Sequence, residues 1–386
     1  MMKLPSTDIC ININPTVQEW WTSVNRFLTA VIAMAFSASS LSIASDSALR
    51  SAINGPHRIA VDSSGNLYVS EEYGKRILRL DPTTERATTI AGNGRECCSK
   101  ENVPARESSV YDVYSIAVDA HGNVYIGGRD AKDGAFVRII HAETGKIETL
   151  AREAFPGAVG VRSYDANLSD PKGIVITPEG KVLVSADESH VVVELGRTTR
   201  LVAGTEGQKG FSGDGGPADL AQFDLPGALA LDGKGNVFVA DYFNNRVRRI
   251  DAQRGIVTTV AGNGTNISSG DGQVATAAGV RHPYALAVDS VGNVFIVENG
   301  AFTVRRVDAK TGVIQTVAGT GREGFSGDGG PAIQANISPV GVAVDQHGNL
   351  YISDMEHNRI RRVDGATGTI STVAGNGLPH RKIIIE

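Results

Sequence analysis

The sequence predicts an all-β protein, a six-bladed β-propeller of four-stranded antiparallel blades. One phrase, an apolar strand followed by a Gly turn and a second apolar strand, occurs six times, with turn glycines Gly65, Gly122, Gly180, Gly235, Gly292 and Gly348. A fixed period of about 56 residues indicates one supersecondary unit that is repeated around an array. Within the copies, short β-branched and apolar runs alternate with Gly, Asp and Asn, and no helical periodicity is sustained.

The fourth copy shows the elements of the unit most clearly. Its strands are predicted at 229–232, 237–240, 246–250 and 256–260, separated by short polar segments. The strands are almost continuously apolar because each blade of a propeller packs on both faces.

The repeat resembles the NHL repeat. The residues from Pro339 to Asp364 match its pattern closely, and the resemblance covers roughly residues 56–376. The segment Gly324–Ala332 resembles that of the bacterial secreted NHL-repeat type. The resemblance implies the NHL-like propeller fold, but no single activity, because NHL-like propellers include adaptor domains, RNA binders and lyases.

The composition argues against a nucleic-acid partner. The chain of 386 residues has a formal net charge of −5 and 45 glycines. A protein that binds phosphate backbones presents a basic face, and no such field is evident here.

The N-terminal residues do not match the repeat and predict export. Arg26 precedes the short apolar run 27–36, and a Ser/Ala-rich stretch ends at Ala44. This order is typical of a secretory signal peptide with cleavage after Ala44, so we expect an extracytoplasmic protein, periplasmic or secreted. An uncleaved anchor or a buried helix is the alternative. Because acidic residues precede this segment, we hypothesise that translation starts at Val24.

The cysteines do not form a disulfide framework. Cys10 lies in the predicted leader, which leaves the adjacent pair Cys97 and Cys98. Two free thiols in a loop are the expected state, with a local disulfide or a soft-metal site as alternatives.

Loop lengths indicate which face of the propeller binds. The connections between the second and third strands, and those from the fourth strand to the next blade, are long and variable and share one face. We call this the long-loop face. The inter-blade loops there carry Gly-Asp-Gly, with Asp214, Asp271 and Asp328 as candidate ligand-face residues. These carboxylates either bind Ca²⁺ or cap the turns through their own backbone.

An acidic column ends the second strand in four copies and forms the candidate metal site. Its members are Glu71, Asp241, Glu298 and Asp354, and Gly128 and Ala186 interrupt it. The carboxylates either converge on a Ca²⁺ or Zn²⁺ ion or pair locally with the basic residues that follow, such as Arg246 and Arg359.

Six positions at the start of the first strands are expected to face the central channel. They are His57, Tyr114, Lys172, Gly227, Tyr284 and Val340. His57, Tyr114, Lys172 and Tyr284 are the candidate catalytic residues, with His282 nearby. Two histidines do not complete a zinc site, which normally takes three protein ligands.

Arginines recur on the third strand at Arg79, Arg249, Arg306 and Arg362. A nearby Asp, such as Asp251 or Asp364, predicts surface ion pairs rather than a phosphate-binding stripe. Nucleophile elbows, P-loops, His-Glu-x-x-His and Cys-x-x-Cys motifs are absent.

The predicted organisation has four parts: a leader at 1–44 with the signal peptide at about 24–44, a linker or closing strand at 45–55, the propeller at 56–376, and a tail at 377–386. All four strands of each blade come from one contiguous segment. We therefore expect 45–53 or the isoleucines 383–385 to add an edge strand that closes the ring.

The resulting functional hypothesis is an exported, non-catalytic scaffold that binds a protein or glycan partner through its long-loop face. It is expected to be a monomer, with no cofactor, no nucleic-acid partner and no membrane span after cleavage. The alternative is a metal-dependent lyase or lactonase, or another hydrolase, with its site at the channel mouth.

Overall fold

The computed structural model describes residues 52–96, 99–130, 134–152, 168–196 and 198–378, all within one compact unit. These residues form six antiparallel sheets that follow one another along the chain. Consecutive strands pair within each sheet, except that the second sheet has an additional two-residue strand, Val103–Pro104, which pairs with the outer strand Lys146–Arg152. The protein is a six-bladed β-propeller, as the repeat predicts. The predicted leader, Cys97, Cys98 and the isoleucines 383–385 lie outside the described residues.

Twenty-five strands build the blades. In blades 1 to 3 they are β1 Pro56–Val61, β2 Leu67–Glu71, β3 Arg76–Asp81, β4 Arg86–Ala91, β5 Val103–Pro104, β6 Val113–Val118, β7 Val124–Asp130, β8 Gly134–Ile140, β9 Lys146–Arg152, β10 Pro171–Ile176, β11 Val182–Ala186, β12 Val191–Leu195 and β13 Arg200–Ala203. In blades 4 to 6 they are β14 Pro226–Leu231, β15 Val237–Asp241, β16 Arg246–Ile250, β17 Val257–Ala261, β18 Pro283–Val288, β19 Val294–Glu298, β20 Thr303–Val307, β21 Ile314–Ala318, β22 Pro339–Val344, β23 Leu350–Asp354, β24 Arg359–Val363 and β25 Ile370–Ala374. The helices are single 3₁₀ turns at Ala105–Glu107, Ala218–Leu220, Ala332–Gln334 and Met355–His357.

The first hairpin turn of a blade is set by an Asp and a Gly. In blade 1, Gly65 has a positive φ of 82°, and its N–H donates to the Asp62 carbonyl at 3.0 Å. The Asp62 carboxylate accepts hydrogen bonds from the backbone N–H groups of Ser64 and Asn66, each at 2.9 Å. An Asp that caps its own turn and a Gly that supplies the left-handed conformation explain why this phrase recurs.

Between blades, one apolar side chain that precedes each first strand is buried in the interface with the previous blade. These residues are Ile53, Val110, Leu168, Phe223, Val280 and Ile337, each at most 1% exposed. Each belongs to a core cluster with members from two neighbouring blades. We call these six residues the interface plugs.

The ring closes through side chains of the entering segment. Ile53 packs among residues of blades 6 and 1, including Ile360 and Val69. The Gly55 N–H also donates to Asn358 Oδ1 of blade 6 at 2.8 Å. The described residues 52–55 form no strand. The rest of the predicted edge strand, residues 45–51 or 383–385, lies outside the described residues, so that closure stays a prediction. A single apolar plug completes this interface as it does the other five.

Candidate functional site

The loops between second and third strands lie against the residues that enter each blade. The Glu72 N–H donates to the Gly55 carbonyl at 2.7 Å, and the Asn299 N–H donates to the His282 carbonyl at 3.1 Å. These loops and blade entries therefore share one end of the central channel. We call this end the channel mouth.

The four carboxylates of the acidic column are buried in separate blades, and each has its own partners. Glu71 accepts from Arg76 Nε and from the Asn54 N–H, at 2.7 and 2.8 Å. Asp354 pairs with Arg361 Nη1 at 3.3 Å and contacts His357 Nδ1 at 2.6 Å. The column binds its own blades together, so a metal ion would have to displace these contacts.

The ion pairs of this column differ in detail from those predicted. Asp241, Glu298 and Asp354 pair with arginines at the middle of the third strand, which are Arg248, Arg305 and Arg361. The predicted partners Arg246 and Arg359 instead donate to loop carbonyls and stack on Phe211 and Phe325. The register pairs Asp241 with Arg246 and Val239 with Arg248, so both arginines lie on the same side of the sheet as Asp241. Arg248 is the fully buried one of the two, and its guanidinium is the one that reaches the buried carboxylate.

Each buried arginine also holds the Asp of a Gly-Asp-Gly loop. Arg248, Arg305 and Arg361 contact Asp214, Asp271 and Asp328, each at 2.8 Å. The same carboxylates accept hydrogen bonds from residues of the fourth strand, among them Thr259 and Thr372. We call each set of arginine, column carboxylate and loop carboxylate a blade triad.

The Gly-Asp-Gly loops run along the outer strand of the following blade. The Gly215 N–H donates to the Val257 carbonyl at 2.8 Å, and Pro217 forms a bridge with Ile256. Asp214, Asp271 and Asp328 are thus engaged by the triad arginines and by the fourth strand of the following blade, and their role as ligand-face residues stays a prediction. The loop covers the fourth-strand edge, whose backbone groups would otherwise be unpaired.

Blades 1 to 3 lack a complete triad. Leu78 and Val193 occupy the arginine position in blades 1 and 3, opposite Val69 and Val184. In blade 2, Arg138 is retained, and Glu101 contacts it at 3.4 Å in place of a loop Asp. Blade 1 keeps the column carboxylate Glu71 without the arginine, blade 2 keeps the arginine without a column carboxylate, and blade 3 has neither, which makes the disc asymmetric.

The channel positions predicted to be functional come together in two pairs. His57 Nε2 lies 3.0 Å from the Tyr284 hydroxyl, although the two residues belong to blades 1 and 5. Lys172 Nζ lies 3.4 Å from the centre of the Tyr114 ring. Gly227 and Val340 contribute no polar side chain.

A further set of mouth residues was not identified from the sequence. The residue directly after each column position is Glu72, Arg129, Asp187, Tyr242, Asn299 or Met355. Tyr242 stacks on His282 with ring centroids 4.8 Å apart, and its hydroxyl accepts from Asn299 Nδ2 at 2.8 Å. The residue type differs at all six positions. The one feature of the sequence that could have identified them is that each directly follows a position of the acidic column.

The electrostatics of the mouth follow from burial. Desolvation, with the charge of Arg58 next, lowers the pKa of His57 to about 3. His57 is therefore neutral, and its 3.5 Å contact with Glu72 is not an ion pair at neutral pH. Burial raises the pKa of Asp187 to about 7 and raises the pKa of Glu72 above its ordinary value.

A cavity of 140 Å³ opens at the mouth. It is lined by Arg58, Lys172, Asp187, Leu225, Gly227, Tyr242, Pro283 and Tyr284. Two cations and one carboxylate thus face the same space as two tyrosines and two aliphatic side chains. Such a space fits a small ligand with a polar and an apolar side.

Metal ligands are not concentrated anywhere in the described ranges. No three His, Cys, Asp or Glu side chains of these residues stand close enough to share a metal ion. No described helix is long and apolar enough to cross a membrane.

Known sequences relate the chain to NHL-repeat proteins. The NHL repeat family matches residues 337–363. Protein SUPPRESSOR OF QUENCHING 1, chloroplastic, from Arabidopsis thaliana is 24% identical over 336 residues, which are 83% of this chain and 26% of that protein. NHL repeat-containing protein 2 from Bos taurus is 25% identical over 266 residues, 61% of this chain and 36% of that protein. The chain thus spans about a quarter and about a third of the lengths of these relatives.

Solved structures share the fold at low identity. A structural genomics protein of unknown function from Bacteroides thetaiotaomicron superposes with a TM-score of 0.59 at 15% identity, covering 81% of this chain and 70% of that one. An auxiliary nutrient binding protein from the same organism gives 0.57 at 16% identity, covering 84% and 70%. At such identities the likeness establishes the fold alone.

Proposed function

Because this chain is a six-bladed β-propeller of the NHL-repeat type, we propose that it is an exported binding scaffold without catalytic activity, which holds a glycan at the channel mouth of its long-loop face. The observation that carries the proposal is the composition of the mouth. Six structurally equivalent positions there hold six different residues, whereas the repeated polar positions elsewhere are engaged in building the blades.

The mouth has the features that sugar binding requires. The faces of Tyr242 and Tyr284 offer flat apolar area for a sugar ring, and their ring centroids lie 6.4 Å apart. Asp187 and Lys172 provide acceptor and donor groups for hydroxyls in the same cavity. A volume of 140 Å³ is below the range of about 300–1,000 Å³ that is typical of drug-sized ligands, so it suits one small ring.

A larger groove on the opposite face is a weaker candidate. It has a volume of 460 Å³ between blades 6 and 1 and is lined by Asp345, Asn349 and Tyr351. The Asp345 carboxylate accepts hydrogen bonds from both Asn349 and Tyr351, at 2.8 and 3.2 Å. The polar groups of this groove therefore serve the hairpin turn.

The lyase or lactonase alternative needs a site with unsatisfied reactive groups. The column carboxylates are paired with arginines, and His57 is held between Tyr284 and the Val113 carbonyl. In a binding scaffold these side chains can keep the partners that they have in the structure. We therefore favour binding without a cofactor. Titration with Ca²⁺ and Zn²⁺ tests this part, because a stoichiometric ion that is lost in Glu298→Ala would support the enzyme.

The binding proposal is tested by capture on immobilised glycans. We expect the protein to be retained by at least one glycan and the double variant Asp187→Asn/Tyr242→Ala to be lost from it. The matched control is Glu143→Ala/Lys310→Ala, two exposed residues in short turns on the opposite face. Equal retention of both variants would place binding elsewhere and refute the proposal.

Export is tested separately by cell fractionation. We propose that residues 24–44 act as a signal that directs the chain out of the cytoplasm. We also propose that the exported protein is a monomer. The protein is then expected in the extracytoplasmic fraction, and deletion of 24–44 should retain it in the cytoplasm. An unchanged distribution after the deletion would refute this part.

A further inference from the structure

Arg58 is a buried cation at a position where the other blades carry small residues. It is 7% exposed and lies on β1, facing the channel. The equivalent positions of the other first strands hold Ser115, Gly173, Ala228, Ala285 and Gly341. One blade thus places a guanidinium where five place almost no side chain.

The described surroundings of Arg58 satisfy this guanidinium only in part. Nη1 donates to the carbonyls of Tyr284 and Val340 at 3.2 and 3.4 Å, and the guanidinium carbon lies 4.3 Å from the centre of the Tyr284 ring. Nε is buried without a hydrogen-bond partner, as is Nε of Arg361, so the difference between Arg58 and the triad arginines lies in the carboxylate contacts of the terminal nitrogens. No ion pair with a carboxylate within 4.0 Å is found for Arg58 in the described part of the chain.

The arginines of the blade triads show which partners a buried guanidinium has elsewhere in this protein. Arg248, Arg305 and Arg361 each contact two carboxylates. A buried charge without a counter-charge is unfavourable, because desolvation is not offset. Arg58 has no carboxylate in direct contact, although Glu72 lies near enough to interact with it electrostatically, and its guanidinium borders the mouth cavity, where an anion of a ligand would give it a direct partner.

The other residues that line the cavity indicate which kind of ligand would carry the anion that contacts Arg58. Lys172 adds a second cation, shared with Asp170 at 3.5 Å. Tyr242, Leu225 and Pro283 form an apolar wall, and Asp187 supplies one carboxylate. A ligand that satisfies all of these groups carries a carboxylate at one end and a compact ring with hydroxyls at the other.

We propose that the mouth cavity binds a uronic acid, either free or at the end of a chain, with its carboxylate on Arg58 and Lys172 and its ring against Tyr242 and Tyr284. A guanidinium and a carboxylate form charge-assisted, often bidentate hydrogen bonds, which supply both affinity and orientation. The inference rests on the proposed glycan-binding function and names its ligand class.

The test is isothermal titration of the full chain with five ligands: glucuronate, galacturonate, the neutral methyl ester of each acid, and an oligogalacturonate. We expect at least one acid to bind at least about tenfold more tightly than its ester. Arg58→Met should lower the affinity for that acid to the level of the ester. The control Arg249→Met removes a partly exposed arginine of the fourth blade, paired with Asp251 away from the mouth, and should leave the affinity unchanged.

Folding of each variant is checked by its thermal unfolding, and Arg58→Lys covers the case in which Arg58→Met does not fold. Lys retains the charge without the planar fork, so we expect binding of the acid to be weakened but still preferred over the ester. A tighter oligomer indicates a chain end as the natural ligand, and an equal affinity indicates the free acid. Either result supports the carboxylate site.

Two outcomes overturn the inference and leave the proposed function standing. The first is equal affinity for acid and ester, and the second is capture of neutral glycans by the mouth with no binding of any acid. If glycan capture itself is insensitive to Asp187→Asn/Tyr242→Ala, the proposed function fails as well.

Discussion

Asn358 Oδ1 in the last blade accepts a 2.8 Å hydrogen bond from the backbone N–H of Gly55, which precedes the first blade. The equivalent contact between blades 4 and 5 joins Asn245 Oδ1 to the His282 N–H at 3.0 Å. The seam between the chain ends is thus built like an internal blade interface. Among the described residues, no strand is exchanged between the first and last blades.

The first prediction concerns the plug at this seam. Ile53→Ala should destabilise the protein by about 2–5 kcal/mol, because it removes a fully buried side chain and leaves a cavity between blades 6 and 1. Ile337→Ala, the matched change between blades 5 and 6, should have a similar effect. Urea unfolding measures both values. A loss below about 1 kcal/mol for Ile53→Ala alone would show that other residues close the ring.

The second prediction concerns two adjacent arginines. Arg361→Met should destabilise by about 3–5 kcal/mol, because it leaves the Asp354 carboxylate buried without its counter-charge and releases Asp328. Arg362→Met should change stability by less than about 1 kcal/mol, since its pair with Asp364 is partly exposed. The two variants are compared by denaturant unfolding at one pH. Similar effects would refute the assignment of Arg361 to a blade triad.

The third prediction concerns two glycines of the fifth inter-blade loop. Gly319 has φ 93°, and a Cβ there would collide with the Phe302 carbonyl oxygen. Gly321 has φ 79°, and its nearest neighbour would lie 3.9 Å away. Both alanine variants meet the unfavourable left-handed conformation, roughly 1 kcal/mol. Gly319→Ala should be the more destabilising by at least about 1 kcal/mol in thermal unfolding, and the opposite order would contradict the geometry.

The sequence predicted the blades because turns and strands depend on local residues. Asp62 and Gly65 specify their hairpin without help from the rest of the chain. The interface plugs were not identified, because a single apolar residue has no period of its own. Alignment of the copies upstream of their first strands would have shown them, since Ile53, Phe223 and Val280 each precede the strand's Pro by three residues.

The site was less predictable than the fold for two physical reasons. Arg248 and Arg249 are neighbours with opposite environments, and both faces of a blade are packed, so apolar alternation does not tell which arginine is buried. The mouth residues Glu72, Asp187 and Tyr242 share no repeat signal, because this position holds a different residue type in every blade. Only the folded ring shows that they meet.

The last prediction concerns pH and follows from opposite shifts in two mouth residues. His57 has a folded pKa of about 3, below the ordinary 6.5, so the unfolded chain binds more protons between these values. Its contribution to stability is therefore lost as the pH falls below 6.5. Asp187 has a folded pKa of about 7, above the ordinary 3.8, so its ionisation destabilises the fold and this effect disappears as the pH falls toward 4. The two slopes, each at most about 1.4 kcal/mol per pH unit, oppose each other between pH 4 and 6.5.

His57→Gln, which keeps a hydrogen-bonding group near Tyr284, should become more stable relative to wild type on acidification, and Asp187→Asn should become less stable. Urea unfolding at pH 7, 6, 5 and 4 measures the difference. Parallel curves for wild type and both variants would mean that neither group titrates with the shift that burial imposes at the channel mouth.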